Sequence, residues 1–396
     1  MRKQRLLRGL LWGLLWALLM GGCGRAGQTG SVPVNAETAA PVEEDTDVTD
    51  VSGESTAGEA QEAEDAEASA PDLHEYDFTL AFAGDINLAD DWGTMGYYRA
   101  QGEDIRACID PQLIARMQAA DLMCLNLECC LSDEGEPMAG KAYTFRGDPA
   151  HVQILEELGV DLVNLANNHV FDYGEDAFLD MLSILDGEEL PYVGAGADAG
   201  EAKEPWYGTF DGRTVAVVSA TRAEKYILTP EAGKDTPGVF RCYDTEALLE
   251  TVEEADQNAD FVIAYIHWGT EYSEELEDVQ AEGARALAEA GADVVLGAHP
   301  HCLQGAEFVD GTPVFYSLGN YWFNEKTLDT VLLELHFYGN DEEQHLEITP
   351  VPARQEGYVT RLLTEPEEVE AWEAHLEAME PSGVSIDEYG IAREVE

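Results

Sequence analysis

Residues 292–320 read ADVVLGAHPHCLQGAEFVDGTPVFYSLGN. Val294-Val295-Leu296 is a short continuous apolar run, the pattern of a buried strand. It leads into Gly297-Ala298-His299-Pro300-His301, where two imidazoles two residues apart can reach one cation site. Three other apolar stretches end in the same way: FTLAFAG runs into Asp85, LVNLAN into Asn168-His169, and FVIAYI into His267. Four strand ends carrying Asp, Asn-His, His and His-x-His describe a single site assembled from distant sequence.

Outward from that stretch, strands alternate with helices. PQLIARMQAAD (111–121), PAHVQILEELG (149–159), GEDAFLDMLSILDG (174–187), DTEALLETVEEAD and EELEDVQAEGARALAEAG have helical spacing. Between them FTLAFAG, LMCLNLE (122–128), VDLVNLA, YVGAG, VAVVSA, FVIAYIH and ADVVLGA read as strands. Continuous apolar strands separated by helices predict an α/β protein with covered sheets. After Gly305 the chain becomes strand-rich: AEFVD-GT-PVFYSLG predicts a hairpin turning at Asp-Gly, and TVLLELHFY a further strand. Residues 76–355 form the folded domain, and 356–396 are expected to be an acidic, helical C-terminal extension built on EPEEVEAWEAHLEAME.

The chain of 396 residues carries 21 basic against 80 acidic side chains, a net charge of −59. That balance excludes binding to a nucleic-acid backbone and favours attraction of cations. Residues 1–23 predict a targeting segment. Arg2, Lys3, Arg5 and Arg8 precede an apolar run, Leu10 to Met20, that is much shorter than the roughly 20 residues of a membrane span. Met20-Gly21-Gly22-Cys23 resembles the lipobox of bacterial lipoproteins, with Met in place of the commoner Leu; Cys23 would then be acylated and the protein held outside the cytoplasm on the cell membrane. An uncleaved signal anchor is the alternative. Residues 24–75 are acidic, without an aromatic side chain, and predict a disordered linker that keeps the domain off the membrane. Cysteines 23, 108, 124, 129, 130, 242 and 302 include no CxxC pair. Cys124, Cys129 and Cys130 read as small buried residues, with disulfides among the six beyond Cys23 as the other reading.

In open α/β sheets ligands collect at the carboxyl ends of the strands, and every candidate here sits at such an end. Asp85 follows Gly84, Glu128 closes Asn126-Leu127-Glu128, Asn168-His169 follow Asn167, His267 precedes Trp268-Gly269, and His299 and His301 end the last strand. Carboxylate, amide and imidazole ligands suit Mn, Fe or Zn, one ion or two. A bridging carboxylate could join two ions about 3.5–4 Å apart.

This order resembles the calcineurin-like metallophosphoesterases and, more closely, the CapA (PgsA) family of poly-γ-glutamate capsule synthesis proteins. The residues that carry the resemblance are Gly84-Asp85, Asn126-Leu127-Glu128, NNHVFDYG (167–174), His267-Trp268-Gly269 with Glu271-Tyr272, GAHPHCLQG (297–305) and YSLGNYWF (316–323), spanning about residues 78–353. It implies a four-layer αββα sandwich. It also implies one metal position from Asp85, Glu128 and His301, and a second from Glu128, Asn168, His267 and His299. His169 matches the histidine that protonates a leaving group or stabilises the transition state. Asp172 closes the turn or orients His169, the turn role being favoured, and Glu271 would stand one helical turn beyond His267. Two departures weaken the first position: the usual Asp-x-His is Asp85-Ile86-Asn87, and the usual Gly-Asp-x-x-Asp is Asn126-Leu127-Glu128. Arg146 is a candidate for an anionic group and Asn320 for the cleft lining; Trp268 and Tyr321 either wall the cleft or pack.

The resemblance implies a membrane-anchored protein acting in extracellular poly-γ-glutamate synthesis, export or attachment. Its partners would be polyglutamate synthase membrane subunits and an anionic polymer or small anionic substrate. The alternatives are a metal-dependent hydrolase of phosphoesters or amides unrelated to capsule, and a non-catalytic scaffold subunit.

Overall fold

The apolar runs form the inner strands of two sheets. The computed structural model describes residues 73–224 and 228–395, so the expected leader and its Cys23, and nearly all of the expected linker, lie outside the described residues. In chain order the sheet strands are β1 (Tyr76–Ile86), β2 (Leu122–Leu127), β3 (Leu162–Asn164), β4 (Tyr192–Val193), β5 (Trp206–Phe210), β6 (Arg213–Thr221) and β7 (Phe261–His267). They continue as β8 (Val294–Ala298), β9 (Ala306–Val309), β10 (Thr312–Phe315), β11 (Asn320–Trp322), β12 (Leu328–Gly339), β13 (Gln344–Glu356) and β14 (Val359–Leu362). The helices used below are α1 (Gly93–Ala100), α2 (Pro111–Met117), α3 (Val152–Leu158), α4 (Gly174–Gly187), α5 (Glu246–Asn258), α6 (Asp278–Ala290) and α7 (Pro366–Ala378).

The first sheet runs β14-β13-β12-β1-β2-β3-β4, with β11 also pairing to β1. Strands β1 to β4 are parallel, whereas β12 to β14 are antiparallel. The second sheet runs β9-β10-β8-β7-β6-β5, parallel through β6, β7, β8 and β10 with an antiparallel strand at each edge.

Strand alternation sorts the core into three slabs, because successive side chains point to opposite faces. From the first sheet, Ala81, Ala83, Met123, Leu125 and Val163 face helices α1 to α4, meeting Met95, Leu113, Leu155 and Phe178. Their neighbours Leu80, Phe82, Leu122, Cys124 and Leu162 face the second sheet, meeting Val217, Ile263, Tyr265, Val294 and Leu296. On that sheet's far side Val218, Val262, Ala264 and Val295 pack on Leu248, Val252, Ala284 and Leu287 of α5 and α6. The layers are therefore helix, sheet, sheet, helix, the αββα order that the resemblance implies. Tyr265 ties the two sheets: its ring stands edge-on to Phe82 at 6.1 Å and its hydroxyl donates to the Ala83 carbonyl at 2.7 Å.

Two glycines explain how the sheets meet at the site. A Cβ on Gly84 would lie 1.8 Å from the Gly319 carbonyl oxygen, and one on Gly297 would lie 1.8 Å from that of Tyr316. Only glycine lets residues 316–319 pass that close across the ends of both β1 and β8. The crossing is fastened by Asp85 N donating to Gly319 O and Leu318 N to Gly297 O, each at 3.0 Å.

The segment 356–396, expected as a helical extension, holds α7 but also strands. β14 pairs with β13 inside the first sheet, and Val384–Ile386 pairs with Ala392–Glu394. The buried Trp372 and Leu376 of α7 pack in the sheet-to-sheet core, which is what an acidic helix with a narrow apolar stripe can do. The Asp-Gly hairpin forms as expected, with Asp310 and Gly311 both at positive φ between β9 and β10. All six cysteines among the described residues are free and buried. Among the described residues no helix is long and apolar enough to cross a membrane.

Candidate metal centre

Every candidate ligand lies at or just beyond the carboxyl end of a parallel strand. β1 delivers Asp85, β2 Glu128, β3 the loop with Asn168 and His169, β7 His267, and β8 His299 and His301. The β8 turn is unusual backbone: His299 and His301 have φ of 97° and 57°. Non-glycine residues at positive φ cost about 1–3 kcal/mol each and persist only where the surroundings hold them. Here Asp85 Oδ2 accepts from His299 N at 3.4 Å, and Trp268 N donates to Ala298 O at 3.0 Å.

Glu128 is the centre of the group. Its Oε1 lies 3.6 Å from His267 Nε2, 3.8 Å from His301 Nε2 and 4.0 Å from His169 Nε2. These are too long for hydrogen bonds, and Oε1, like Nδ1 of His299, is buried with no hydrogen-bond partner. Two triads place one donor atom from each residue within 4.8 Å of the others: Glu128, His267 and His299, and Asp85, Glu128 and His301. Asn168 Oδ1 joins the first triad, 2.8 Å from His267 Nε2. His301 Nδ1 is 3.1 Å from Asp85 Oδ2 and 2.9 Å from Asn320 Oδ1. The structure thus brings together Asp85, Glu128, Asn168, His267, His299 and His301 in two groups that share Glu128.

Electrostatics point the same way. Burial, with the nearby Asp85 charge next, pushes the Glu128 carboxyl well above the usual carboxylate range. Burial and the neighbouring imidazoles push His267 and His299 well below the usual imidazole range, so both rings are neutral and able to donate a lone pair. Two buried carboxylates amid neutral imidazoles, with an orphaned oxygen between them, fit a divalent cation, which supplies the charge that lets both acids ionise.

His169 stands beside the centre. Its Nδ1 lies 2.7 Å from Asp172 Oδ2, which leaves Nε2 toward Glu128. Asp172 therefore does more than close the turn. The same carboxylate accepts from Phe145 N at 2.7 Å and is paired with Lys141 Nζ. Lys141 also donates to the Asn168 carbonyl and reaches Glu224 Oε2 at 2.9 Å, with its side chain only 2 % exposed.

Several sequence expectations land elsewhere. Arg146 donates to the Glu134 and Gly135 carbonyls at 3.3 Å each and lies over the Tyr173 ring, tied to a loop and not to the centre. After His267 the chain turns instead of coiling, so Glu271 is exposed and acts on Glu128 only through its charge. Asn87 caps its own turn, its Oδ1 accepting from Ala89 N at 2.8 Å, while its Nδ2 is buried without a hydrogen-bond partner. Trp268 and Tyr321 pack: Trp268 on Tyr316, Tyr321 against Met117. Sequence reasoning missed Lys141 and the role of Asn126 and Asn167. Asn126 Nδ2 donates to Asp85 Oδ1 at 2.7 Å and to Glu128 Oε2 at 3.3 Å, and Asn167 Nδ2 donates to Asn126 Oδ1 at 3.1 Å. For Asn126 and Asn167 the signal was adjacency to Glu128 and Asn168; Lys141, alone in a loop, offered none.

A four-layer αββα sandwich that gathers carboxylate, amide and imidazole donors at the carboxyl ends of both sheets defines an α/β protein with a candidate metal centre. The family model for bacterial capsule synthesis protein PGA_cap matches residues 79–325, and the chain belongs to that family. It is 35% identical over 217 residues to the PGA biosynthesis protein CapA of Bacillus subtilis (strain 168), covering 54% of this chain and 56% of that protein. It is 34% identical over 196 residues to the capsule biosynthesis protein CapA of Bacillus anthracis, covering 48% and 47%. The chain thus spans about half the length of the curated relatives it matches. Among solved structures, a hypothetical protein from Thermus thermophilus aligns over 69% of this chain and 99% of that one, with a TM-score of 0.40 and 19% identity.

Proposed function

We propose that this chain is an extracytoplasmic lipoprotein, anchored through Cys23, that works on poly-γ-glutamate during its synthesis, export or attachment through a cleft holding one or two Mn, Fe or Zn ions. Membership of the capsule synthesis family and the similarity to the two CapA proteins of PGA and capsule biosynthesis support the polymer. The observation that carries the cleft is the orphaned Glu128 Oε1 among three imidazole nitrogens. Polyglutamate synthase membrane subunits are the proposed partners.

Asp85, Glu128 and His301 would hold one cation, and Glu128, Asn168, His267 and His299 the other. A divalent cation in such a site supplies Lewis acidity toward a carbonyl or carboxylate oxygen. The chain's own residues do the rest. Asp172 fixes the His169 ring through Nδ1, so that Nε2 can give a proton to a departing amide nitrogen or a hydrogen bond to a developing oxyanion. Asn126 holds Asp85 and Glu128 in register, and Phe145, with its ring centroid 4.4 Å from that of His169, shields this face from water.

The test is complementation in the source organism. Deletion should remove or release surface poly-γ-glutamate, wild type should restore it, and D85A and H301A should not. Unchanged polymer on deletion, or an organism that makes none, would sink the proposal.

A further inference from the structure

Beyond the imidazoles, one edge of the centre carries a cation with no ion-pair partner among the described residues. Tyr272 is fastened to the histidine turn by its N–H, which donates to Pro300 O at 2.6 Å, and its ring centroid is 5.6 Å from that of His301. The hydroxyl accepts from Asn324 Nδ2 at 3.2 Å, which leaves the O–H proton free to donate. Asn324 is itself buried and held, its Oδ1 accepting from Gln355 Nε2 at 2.9 Å and from Lys326 N at 3.0 Å. Lys326 Nζ lies 3.5 Å from the Tyr272 ring centroid. With the 5.6 Å between the rings, this 3.5 Å puts the ammonium within about 9 Å of the His301 ring.

In a chain with 80 acidic residues this ammonium forms no ion pair among the described residues. Glu325, its neighbour in sequence, instead accepts from Tyr358 Oη at 2.9 Å. The exposed Glu271 adjoins Tyr272 in sequence, and the charges of Glu271, Glu128 and Asp85 all reach the Tyr272 hydroxyl.

We propose that Lys326 and the Tyr272 hydroxyl form a carboxylate-binding subsite beside the centre, which takes a free carboxylate of a polymer whose backbone amide or carboxylate lies at the metals. Resting on the function proposed above, this subsite makes the cleft a reader of repeat chemistry. A γ-linked glutamate chain bears a carboxylate about 4 Å from each backbone amide carbon, and the next one a repeat further along at about 10 Å. A span of up to 9 Å from the His301 ring to the ammonium accommodates one of them. Neutral polymers gain nothing there. Glu271 sets the opposite field and rejects segments whose carboxylates fall out of register.

The experiment measures binding of the metal-loaded full-length chain to a γ-glutamyl decamer and to the same decamer with its side carboxyls amidated. K326A should weaken the acidic decamer about tenfold, the loss of one charge-assisted hydrogen bond in a partly screened position. K326R should recover most of it, E271Q should strengthen binding, and the amidated decamer should respond to none of these. Unchanged binding of the acidic decamer by K326A and K326E, with metal content unaltered, overturns the subsite and leaves the proposed function standing. Binding to polygalacturonate with the same Lys326 dependence, but not to the γ-glutamyl decamer, supports the subsite and removes poly-γ-glutamate. Binding to neither polymer overturns the subsite.

Discussion

Glu128→Gln separates the charge of the centre from its shape. Gln has the volume of Glu and can keep its oxygen on Asn126 Nδ2, where Oε2 now sits at 3.3 Å. Its amide nitrogen then takes the place of Oε1, between imidazole nitrogens 3.6 to 4.0 Å away, without a clash. In the metal-free protein the Glu128 carboxyl titrates well above its ordinary value because it is buried next to Asp85. A carboxyl whose folded pKa is raised favours the folded state below its unfolded pKa of about 4.3, and that advantage is lost as pH rises toward the folded value. Metal-free wild type should therefore lose stability on this account as pH rises above about 4.3, and E128Q should not. In chelator at about pH 8, E128Q is expected to be at least as stable as wild type.

Added metal reverses the order. A cation present at a hundred times its Kd stabilises the folded state by about 2.7 kcal/mol. For a folded unit of this size about 2 °C accompanies each kcal/mol, so wild type should gain roughly 5 °C in Tm with saturating Mn. E128Q removes the ligand common to both triads and should gain almost nothing. Differential scanning fluorimetry of both proteins, with chelator and with Mn, reads all four values. A wild-type-sized shift in E128Q would refute Glu128 as the shared ligand. An E128Q protein clearly less stable than wild type in the alkaline chelator buffer would refute the charge argument.

Other perturbations test the neighbours. His169→Asn should keep full metal content, because His169 belongs to neither triad, while losing about 10²–10⁴-fold of any turnover that needs proton transfer; metal analysis beside a rate measurement decides it. Lys141→Met leaves the Asp172 carboxylate, fully buried, without its cation, and Glu224 as well. Removing one partner of such a pair costs about 3–5 kcal/mol, taken here at the low end because Glu224 is partly exposed, so urea unfolding should show about 3 kcal/mol. His267 and His299 are held below the ordinary imidazole range by burial. Their folded form refuses protons that the unfolded chain accepts below about pH 6.5, so metal-free wild type should lose up to about 1.4 kcal/mol per histidine for each pH unit below that value. H299N should lose correspondingly less between about pH 6.5 and 5.5, and equal losses in the two proteins would contradict the assignment. Finally, the position built on Asp85 and His301 has three donors and the other has four with Asn168, so calorimetric titration with Mn should show two unequal affinities, and D85A should abolish only the weaker.

The α/β alternation and the location of the centre were legible because both follow from local signals, whereas the four-layer order came from the family resemblance. Buried parallel strands are continuous apolar runs, and residues of ligating type at their carboxyl ends must share one edge of the sheets whatever the loops do. What stayed hidden depends on contacts between loops. Arg146 reads as an anion ligand from charge alone, yet carbonyls of residues 134 and 135 and the Tyr173 ring satisfy it. Lys141 sits only five residues away in sequence and carries no motif, yet it joins Asp172 and Asn168 of one loop to Glu224 of another. The two differ in burial: the Arg146 pairings are partly exposed and worth little, whereas the Lys141 ammonium can be buried only because two carboxylates and a carbonyl surround it. A buried lysine thus reports where acids have been concentrated, and here they flank His169. The strand-end motif locates the cation site, and the loop lysine, invisible to that motif, holds the group that would act beside it.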